Sequence, residues 1–409
     1  MQVYVARQPI FNKKKEIYGY ELLFRGGMSN FFPDIDGGTA TSTLLSNSFF
    51  TIGIEELTGS RPAFVNFTQD LLLHQVPLMF PSETVVIEIL EDVEPTEDLI
   101  DACKHFGEKG YYIALDDFVY RPDLEPLMAL ADIIKIDFRE TSFEKVADCV
   151  KKSSGYNVKL LAEKVETNEE FWKALEMGFD YFQGYFFSKP EIIGGKDISS
   201  AQMGLLQVMA EANKEDFEFR EVEAVILRDV SISYKLLRYI NSVYFGIIQD
   251  ISSINQALVL LGENGTKRFL SLIAMAKLAS DKPDELIRAS IVRARFCESL
   301  GNISHSDIDR SGLFTLGLFS KIDAILDDSM ENLMKKLPLS NSIKDALIYG
   351  EGELKDYLRL AACYEVGDWG GVSDSAGVLS LKEEEIPPCF TGALNWADNF
   401  TTGTSAVSN

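Results

Sequence analysis

Cysteine and histidine are scarce in this chain, with 5 and 3 among its 409 residues. The cysteines are widely spaced and form no CxxC pair, which predicts neither a disulfide framework nor a zinc cage. No apolar run approaches the roughly 18 residues of a membrane-spanning helix, and the N-terminus lacks a basic segment followed by an apolar stretch. We therefore expect a cytoplasmic protein with no membrane association.

Basic residues are also few, because 39 lysines and arginines face 63 acidic residues and give a formal net charge of −24. Such a charge repels a phosphate backbone, and no basic stripe stands out to overcome it, so binding to long DNA or RNA is not expected. A small phosphate ligand stays open, because divalent metal ions held by carboxylates can reverse the local field.

The chain is long enough for two hydrophobic cores, since 46% of its residues are apolar and single domains usually stop growing at about 250 residues. The sequence character changes after Pro190, where EIIGGKDISS has the composition of a linker. We therefore expect one domain over residues 1–195 and a second over residues 196–409.

Short apolar runs that end in acidic or amide residues recur in the first half: VVIEI, YYIALDD, IIKID, KLLAEKVE and YFQGYFF. Helical-looking stretches lie between them, which predicts a parallel α/β architecture. A TIM-like barrel and a doubly wound sheet both place their ligands at strand carboxyl ends, so the pattern leaves these two folds open. The acids at the predicted strand ends are Glu88, Asp116, Asp117, Asp137 and Glu163.

The second half shows helical periodicity instead. Apolar residues recur at i, i+3 and i+4 in stretches such as ISYKLLRYINSVYFG and DELIRASIVRARFCESLG, which predicts an all-α domain. The final stretch, TTGTSAVSN, is small and polar with nothing to bury, and we expect it to be disordered.

Eight segments of the first half carry a family resemblance: RQPIF, YELLFR, FVNFT, IEILE, ALDDF, IKID, LAEKVE and FQGYFFSKP. In this order and approximate spacing they resemble the EAL domain, the cyclic di-GMP phosphodiesterase, over residues 1–195. The resemblance implies a TIM-like barrel that binds cyclic di-GMP with a two-metal site for Mg2+ or Mn2+.

The implied metal ligands are oxygen donors: Glu21, Asn66, Glu88, Asp116 and Asp117. By resemblance, Asp116 is the bridging ligand. The chemistry can be argued separately, because two-metal hydrolysis of a phosphodiester needs hard oxygen ligands that hold two divalent ions about 4 Å apart. Only Asn66 is uncharged, so the acids would repel one another unless cations were bound or some acids were protonated.

The resemblance implies further roles around these ligands. Its catalytic residues would be Lys135, Glu163 and Gln183: Lys135 would orient the attacking water, Glu163 would complete the metal site or act on that water, and Gln183 would position water or substrate. Its ligand contacts would be Gln8, Arg25 and Glu166, with Arg25 at the phosphate, and Glu91 would steady the loop after Asp116-Asp117. Lys135 is informative by itself, because a lysine between isoleucines on a buried strand needs a partner or a cavity.

Two departures from the family pattern bear on activity. Active members follow the paired aspartates with a glycine-rich loop, DDFGxG, whereas Val119-Tyr120-Arg121-Pro122 follows Phe118 here. Valine and tyrosine resist the backbone angles that glycine allows. The AEGVE motif likewise carries Lys164 in place of its glycine. The sequence leaves open a working esterase, a slow esterase and a receptor that does not cleave.

The second half, from about residue 200 to 385, resembles the HDOD domain, a relative of the HD metal-dependent phosphohydrolases. An HD enzyme needs a His-Asp doublet with further histidines. The matching segment reads Phe319-Ser320-Lys321, and His305, the single histidine after residue 200, is assigned no role. We therefore expect no metal cofactor and no hydrolysis in this half.

These observations favour a cyclic di-GMP signalling protein whose helical half relays a signal through a protein partner that the sequence does not identify. A homodimer stays open. The alternative is a non-catalytic adaptor with a degenerate EAL domain that binds no nucleotide.

Overall fold

A computed structural model describes residues 5–24, 54–139, 141–188, 205, 222–223, 226–227, 230–241, 251–279, 282–304, 308–337 and 339–405. The chain divides into two compact units. The first comprises Met1–Lys189 with Ala362–Gly370, and the second comprises Pro190–Ala361 with Gly371–Asn409.

The first unit contains a closed eight-stranded barrel with its strands in sequence order. Their bounds are β1 Val5–Asn12, β2 Ile17–Phe24, β3 Ala63–Phe67, β4 Val85–Ile89, β5 Tyr112–Leu115, β6 Ile133–Asp137, β7 Lys159–Glu163 and β8 Tyr181–Gln183. Closure decides between the two folds that the sequence pattern left open, in favour of the TIM-like barrel.

The barrel departs from an all-parallel one in its first strand. β1 pairs antiparallel with both β2 and β8, while the remaining neighbours pair in parallel. A tight turn explains the reversal: the Asn12 backbone N–H donates to Glu16 O at 2.9 Å, and the Asn12 side chain accepts from Lys14 N at 2.8 Å. A turn this short joins antiparallel strands, whereas parallel neighbours need a longer crossover.

Helices of the first unit lie mainly between the parallel strands. They are α1 Ile54–Thr58, α2 Gln69–Leu73, α3 Glu97–Glu108, α4 Glu125–Met128, α5 Phe143–Ser153 and α6 Asn168–Glu176. The start of α6 is set by a capping box, in which the Thr167 side chain accepts from Glu170 N and the Glu170 side chain accepts from Thr167 N. Such reciprocal bonds satisfy N–H groups that a helix leaves unpaired at its start.

One end of the barrel interior is filled by apolar side chains. Each parallel strand from β3 to β7 contributes one residue, and β1 contributes another: Ile10, Phe64, Val86, Ala114, Ile133 and Leu161. All six are at most 3% exposed. Because strand side chains alternate between faces, the residue two positions further along each strand also faces the interior.

All elements that the structure describes after residue 190 are helical. The longer α-helices are α7 Val230–Ile240, α8 Ile254–Leu278, α9 Asp284–Ile303, α10 Arg310–Phe319, α14 Lys355–Glu365, α15 Trp369–Val378 and α16 Ile386–Ser405. Between α10 and α14 lie α11 Ile322–Leu326, α12 Met330–Lys336 and α13 Asn341–Ile348. Among the described residues, none of the helices combines the length and the apolar character needed to cross a membrane.

The C-terminus departs from the sequence expectation. The polar tail was expected to be disordered from Thr401, but α16 continues to Ser405. Trp396 and Phe400 are buried just before it, and adding hydrogen-bonded residues to an established helix is easier than starting one. Residues 406–409 lie outside the described part of the chain.

Candidate active site

A polar layer lies directly above the apolar end of the barrel. Each of its members is two residues along the chain from an apolar interior residue: Gln8, Asn66, Glu88, Asp116, Lys135 and Glu163. Because residues i and i+2 of a strand share one face, these six polar side chains form a layer next to the layer of six apolar ones. Asp116 directly follows β5, and its N–H donates to Ile89 O at 2.9 Å, which holds it at the strand end.

The ammonium of Lys135 is the centre of this layer. Its Nζ lies 2.6 Å from Glu88 Oε1, 2.6 Å from Asp116 Oδ1, 2.9 Å from Glu163 Oε1 and 3.7 Å from Glu21 Oε2. Lys135 and Glu88 have no exposed side-chain surface. Four acids around one lysine leave a negative excess in a place with little solvent to screen it.

Burial and the charges around Lys135 together shift the pKa values of the group. Burial raises the pKa of Glu88 and of Glu163 well above the ordinary value, and the Lys135 charge only partly opposes it. Burial lowers the pKa of Lys135, but the surrounding carboxylates, with Asp116 foremost, outweigh burial and raise it well above its ordinary value. The geometry therefore favours a charged lysine beside carboxyl groups that hold protons more readily than usual.

Amide side chains line the adjoining part of the layer. Asn66 Nδ2 donates to Glu21 Oε1 at 3.2 Å. Gln183 Nε2 donates to Glu21 Oε2 at 2.5 Å and to Gln8 Oε1 at 3.0 Å. Both oxygens of the Glu21 carboxylate are thus held by amides, which fixes its orientation toward Lys135.

A second group of charges follows the ends of β5, β6 and β7. Lys164 Nζ pairs with Asp137 Oδ2 and lies 3.8 Å from Asp117 Oδ1. Arg139 forms an ion pair with Glu166, with 2.8 Å between Nη1 and Oε1. Burial, followed by the charge of Asp116, raises the pKa of Asp117 to about 6.

The loop after β5 keeps its backbone close to the barrel. Phe118 is buried, and its N–H donates to Lys135 O at 2.9 Å. Val119 turns outward, with 52% of its surface exposed. Glu91 is exposed and lies beside this loop, where it helps to line a cavity of about 220 Å³ together with Asp117 and Val119. The valine that replaces a family glycine therefore does not point into the acid cluster.

The polar layer opens into a cavity of about 750 Å³. Its walls include predicted metal, catalytic and ligand-contact residues: Gln8, Glu21, Asn66, Asp116, Asp117, Glu163, Glu166 and Gln183. A cavity of this volume lies within the range of small-molecule sites. Glu88 and Lys135 form the buried floor below it.

The donor set suits a hard divalent cation. Glu88 Oε2 and Glu163 Oε2 are buried and accept no hydrogen bond from the described residues, and carboxylate and amide oxygens are the ligands that Mg2+ and Mn2+ prefer. Within the described ranges no three acidic, histidine or cysteine side chains already form a metal-binding group. The ammonium of Lys135 lies among the carboxylates instead, so a metal ion would have to bind the carboxylates beside it or displace it.

The structure brings together eleven of the twelve site residues that the sequence singled out. The exception is Arg25, which lies outside the described residues. Sequence reasoning assigned no role to Asp137, Arg139 or the ammonium of Lys164, although all three meet the predicted site. The sequence could have indicated a role for Asp137, because Ile133, Lys135 and Asp137 are every second residue of β6 and so lie on the same face.

The segment that matches the His-Asp doublet of HD enzymes lies at the end of α10. Arg293 Nη1 donates to Ser320 Oγ at 3.1 Å, and Lys321 is 6% exposed. Burial is the main reason that the pKa of the neighbouring Asp323 is raised. His305 lies outside the described residues. This place in the second unit therefore carries two basic side chains, Arg293 and Lys321.

Comparison with family models and with known proteins identifies relatives of this chain. The EAL domain model matches residues 46–190, and the HDOD domain model matches residues 200–339. A Vibrio cholerae protein named cyclic di-GMP phosphodiesterase CdgJ is 39% identical over 399 residues, which cover 97% of this chain and 92% of the relative. The Bacillus subtilis protein YuxH is 38% identical over 407 residues, which cover 98% of this chain and 99% of the relative.

A solved structure is also similar to part of this chain. It is a standalone EAL protein from Vibrio cholerae in its c-di-GMP-bound form, 25% identical to this chain, with a TM-score of 0.36. The match covers 46% of this chain and 91% of that one.

Proposed function

This chain belongs to the family of proteins that join an EAL domain to an HDOD domain, and from that premise we propose that its barrel binds cyclic di-GMP with divalent metal ions and slowly hydrolyses it to pGpG. The observation that carries the proposal is the ring of hard oxygen donors around Lys135 at the floor of the 750 Å³ cavity. A ring of acidic side chains can hold divalent cations, and the bound cations can then attract a phosphodiester.

Five of the oxygen donors of this ring and its rim are the proposed metal ligands: Glu21, Asn66, Glu88, Asp116 and Asp117. When bound, divalent ions would activate an attacking water and neutralise the charge that develops on phosphorus. By the family resemblance Asp116 would be the bridging ligand, and it directly follows β5, which lies between β4 with Glu88 and β6 with Lys135.

The remaining residues of the site act on water and substrate. Lys135 is buried and ion-paired with the acids of the ring, and from there it would orient the attacking water. Glu163 has one oxygen, Oε2, without a hydrogen bond among the described residues, which suits it to complete the metal site or accept a proton from that water. Gln183, held by Gln8 and Glu21, positions water or substrate, and Gln8 and Glu166 contact the dinucleotide.

A titration of the full-length chain tests this function. Cyclic di-GMP is added to protein in the presence of Mg2+, of Mn2+ or of neither, while the heat of binding and the appearance of pGpG are followed. We expect heat and slow pGpG formation only with a metal ion present. Neither heat nor pGpG with either metal would favour a non-catalytic adaptor whose acid cluster is a relic.

For the helical unit we propose a relay role through contact with a protein partner. Its support is the pair of basic groups, Arg293 and Lys321, at the place where an HD enzyme would hold its metal. A lysine there repels divalent cations. A domain that keeps its fold but lacks catalytic residues can act by binding other proteins. This conclusion is by analogy with other folds that have lost their catalytic sites.

A further inference from the structure

Lys164 occupies a backbone position that disfavours it. It directly follows the last residue of β7 and has a φ of 53°, in the left-handed region where a residue other than glycine, asparagine or aspartate is uncommon. The family motif has glycine at this place. A lysine held in such a conformation needs a compensating interaction of its side chain.

That interaction joins Lys164 to the ends of two neighbouring strands. Its Nζ pairs with Oδ2 of Asp137, the last residue of β6, and lies 3.8 Å from Oδ1 of Asp117, which follows β5. The Asp137 side chain is only 4% exposed, and its other oxygen, Oδ1, accepts from Arg139 N at 2.6 Å. Asp137 therefore anchors the ammonium within reach of Asp117.

Asp117 is the acid for which two cations would compete. Its side chain is 38% exposed and lines the cavity together with Lys164. In the proposed function Asp117 is a metal ligand. In this structure the Lys164 ammonium lies 3.8 Å from its Oδ1. A carboxylate already beside a fixed positive charge attracts a divalent ion less strongly, because the ammonium repels that ion.

We propose that Lys164 is a built-in cation that competes with the divalent ion ligated by Asp117, so that this chain holds its second metal ion weakly. The inference rests on the proposed function, which makes Asp117 a metal ligand. It also gives the slow turnover a cause inside the cavity, whereas Val119 of the altered loop points outward.

Three substitutions separate the charge of Lys164 from its backbone conformation. Lys164→Gln removes the charge and keeps a side chain at this φ, Lys164→Gly also relaxes the backbone, and Lys164→Arg keeps the charge. Lys104→Gln is the matched control, since Lys104 pairs with Asp101 at 2.9 Å on the exposed surface of α3.

The readout is calorimetric titration of each full-length variant with Mn2+ alone, supported by equilibrium dialysis for the number of ions bound. We expect two binding events in the parent, with the weaker one tightened about tenfold or more in Lys164→Gln and Lys164→Gly, which is the scale of one charge near a partly exposed site. Lys164→Arg and Lys104→Gln should match the parent.

A fourth variant covers the case in which loss of Lys164 unfolds the barrel by removing the ion pair at Asp137 Oδ2. Asp137→Asn keeps the ammonium but weakens its anchor, so Lys164 is free to approach Asp117. The weaker Mn2+ event should then become weaker still, the opposite sign to Lys164→Gln. Thermal melting of each variant confirms that the titrated protein is folded.

The outcomes separate this inference from the proposed function. Unchanged Mn2+ affinities in Lys164→Gln and Asp137→Asn would overturn the inference and leave the metal-dependent function standing. Tightening in Lys164→Gly alone would also overturn it, because backbone strain rather than charge would then be the cause. No Mn2+ binding by the parent or any variant would overturn both.

Discussion

Lys135 Nζ lies 2.6 Å from Glu88 Oε1, and neither side chain has any exposed surface. Taking two charges out of water is costly, and their attraction offsets that cost only when further hydrogen bonds and charges support the pair. Here Asp116, Glu163 and Glu21 add three more carboxylates around the same ammonium. The lysine is therefore the counter-ion on which the metal-free barrel depends.

Lys135→Met should destabilise the metal-free barrel strongly. Removing one partner of a buried ion pair costs about 3–5 kcal/mol, because the remaining charges stay buried and unpaired. Thermal and urea unfolding in a chelating buffer measure the loss. Saturating Mn2+ should restore part of it, since a ligand that binds only the folded state stabilises that state.

Lys104→Met provides the comparison for this change. Its ion pair with Asp101 is exposed, and such pairs contribute about 0–1 kcal/mol. A Lys135→Met protein that unfolds at the same urea concentration as Lys104→Met would show that the buried ammonium does not hold the acid cluster together.

Much of the barrel could be predicted from the sequence, because each strand from β4 to β8 is an apolar run with an acid or amide at its end or next to it. The resemblances of the two halves to the EAL and HDOD domains are confirmed by the matching family models. Barrel closure and the reversed β1 could not be predicted from periodicity, since both depend on pairing between distant strands and on the Asn12 turn.

Asp116→Asn should abolish hydrolysis while the fold persists. The change removes a formal charge from the proposed bridging position with almost no change in volume, so metal binding weakens and turnover falls by orders of magnitude. The rate of pGpG formation with Mn2+ is the measurement, with a thermal melt to confirm folding.

Asp148→Asn is the matched control for Asp116→Asn. Asp148 lies on α5, where it is 55% exposed and pairs with Lys152 at 3.0 Å, so its loss should leave the rate unchanged. Parent-level turnover in Asp116→Asn would remove Asp116 from the metal site.

Gly184→Ala should destabilise the barrel and disturb Gln183 beside it. Gly184 has a φ of +144°, and a Cβ there would overlap Val165 O and lie 2.5 Å from Val165 N. Both contacts are with backbone, and Val165 N donates to Gln183 O at 3.0 Å, so relief would have to move the end of β8. We expect a loss of about 2 kcal/mol or more in unfolding free energy, on the scale of overpacking in a core.

Gly107→Ala should have the opposite sign in the same unit. Gly107 lies in α3, and a Cβ added there would have no neighbouring atom within 4 Å. Alanine in a helix is favoured over glycine by up to about 1 kcal/mol. If Gly184→Ala proves as harmless as Gly107→Ala, the turn after β8 is not as closely packed as its geometry indicates.

The cation pairs of the site were harder to anticipate than its acids. The family resemblance implied that Glu88 and Asp116 bind metal ions and that Glu163 completes the metal site or acts on the attacking water, whereas in the structure Lys135 lies among all three. Lys164 could be recognised as a replaced glycine, but its reach to Asp137 depends on the left-handed turn after β7. Side-chain reach of this kind is set by tertiary geometry, which no local pattern encodes.

All the metal that the full-length chain binds should be held by the barrel. Lys321 is buried at the place where an HD enzyme has its doublet, and Arg293 lies beside it on Ser320, so two positive charges oppose a metal ion there. A double variant, Asp116→Asn with Glu88→Gln, should therefore retain no stoichiometric Mn2+ or iron after dialysis. Elemental analysis of the purified protein measures this directly, and the Asp148→Asn chain shows the metal content of an intact barrel. One equivalent of metal that stays with the double variant would place a second metal site outside the barrel and contradict a purely interacting role for the helical unit.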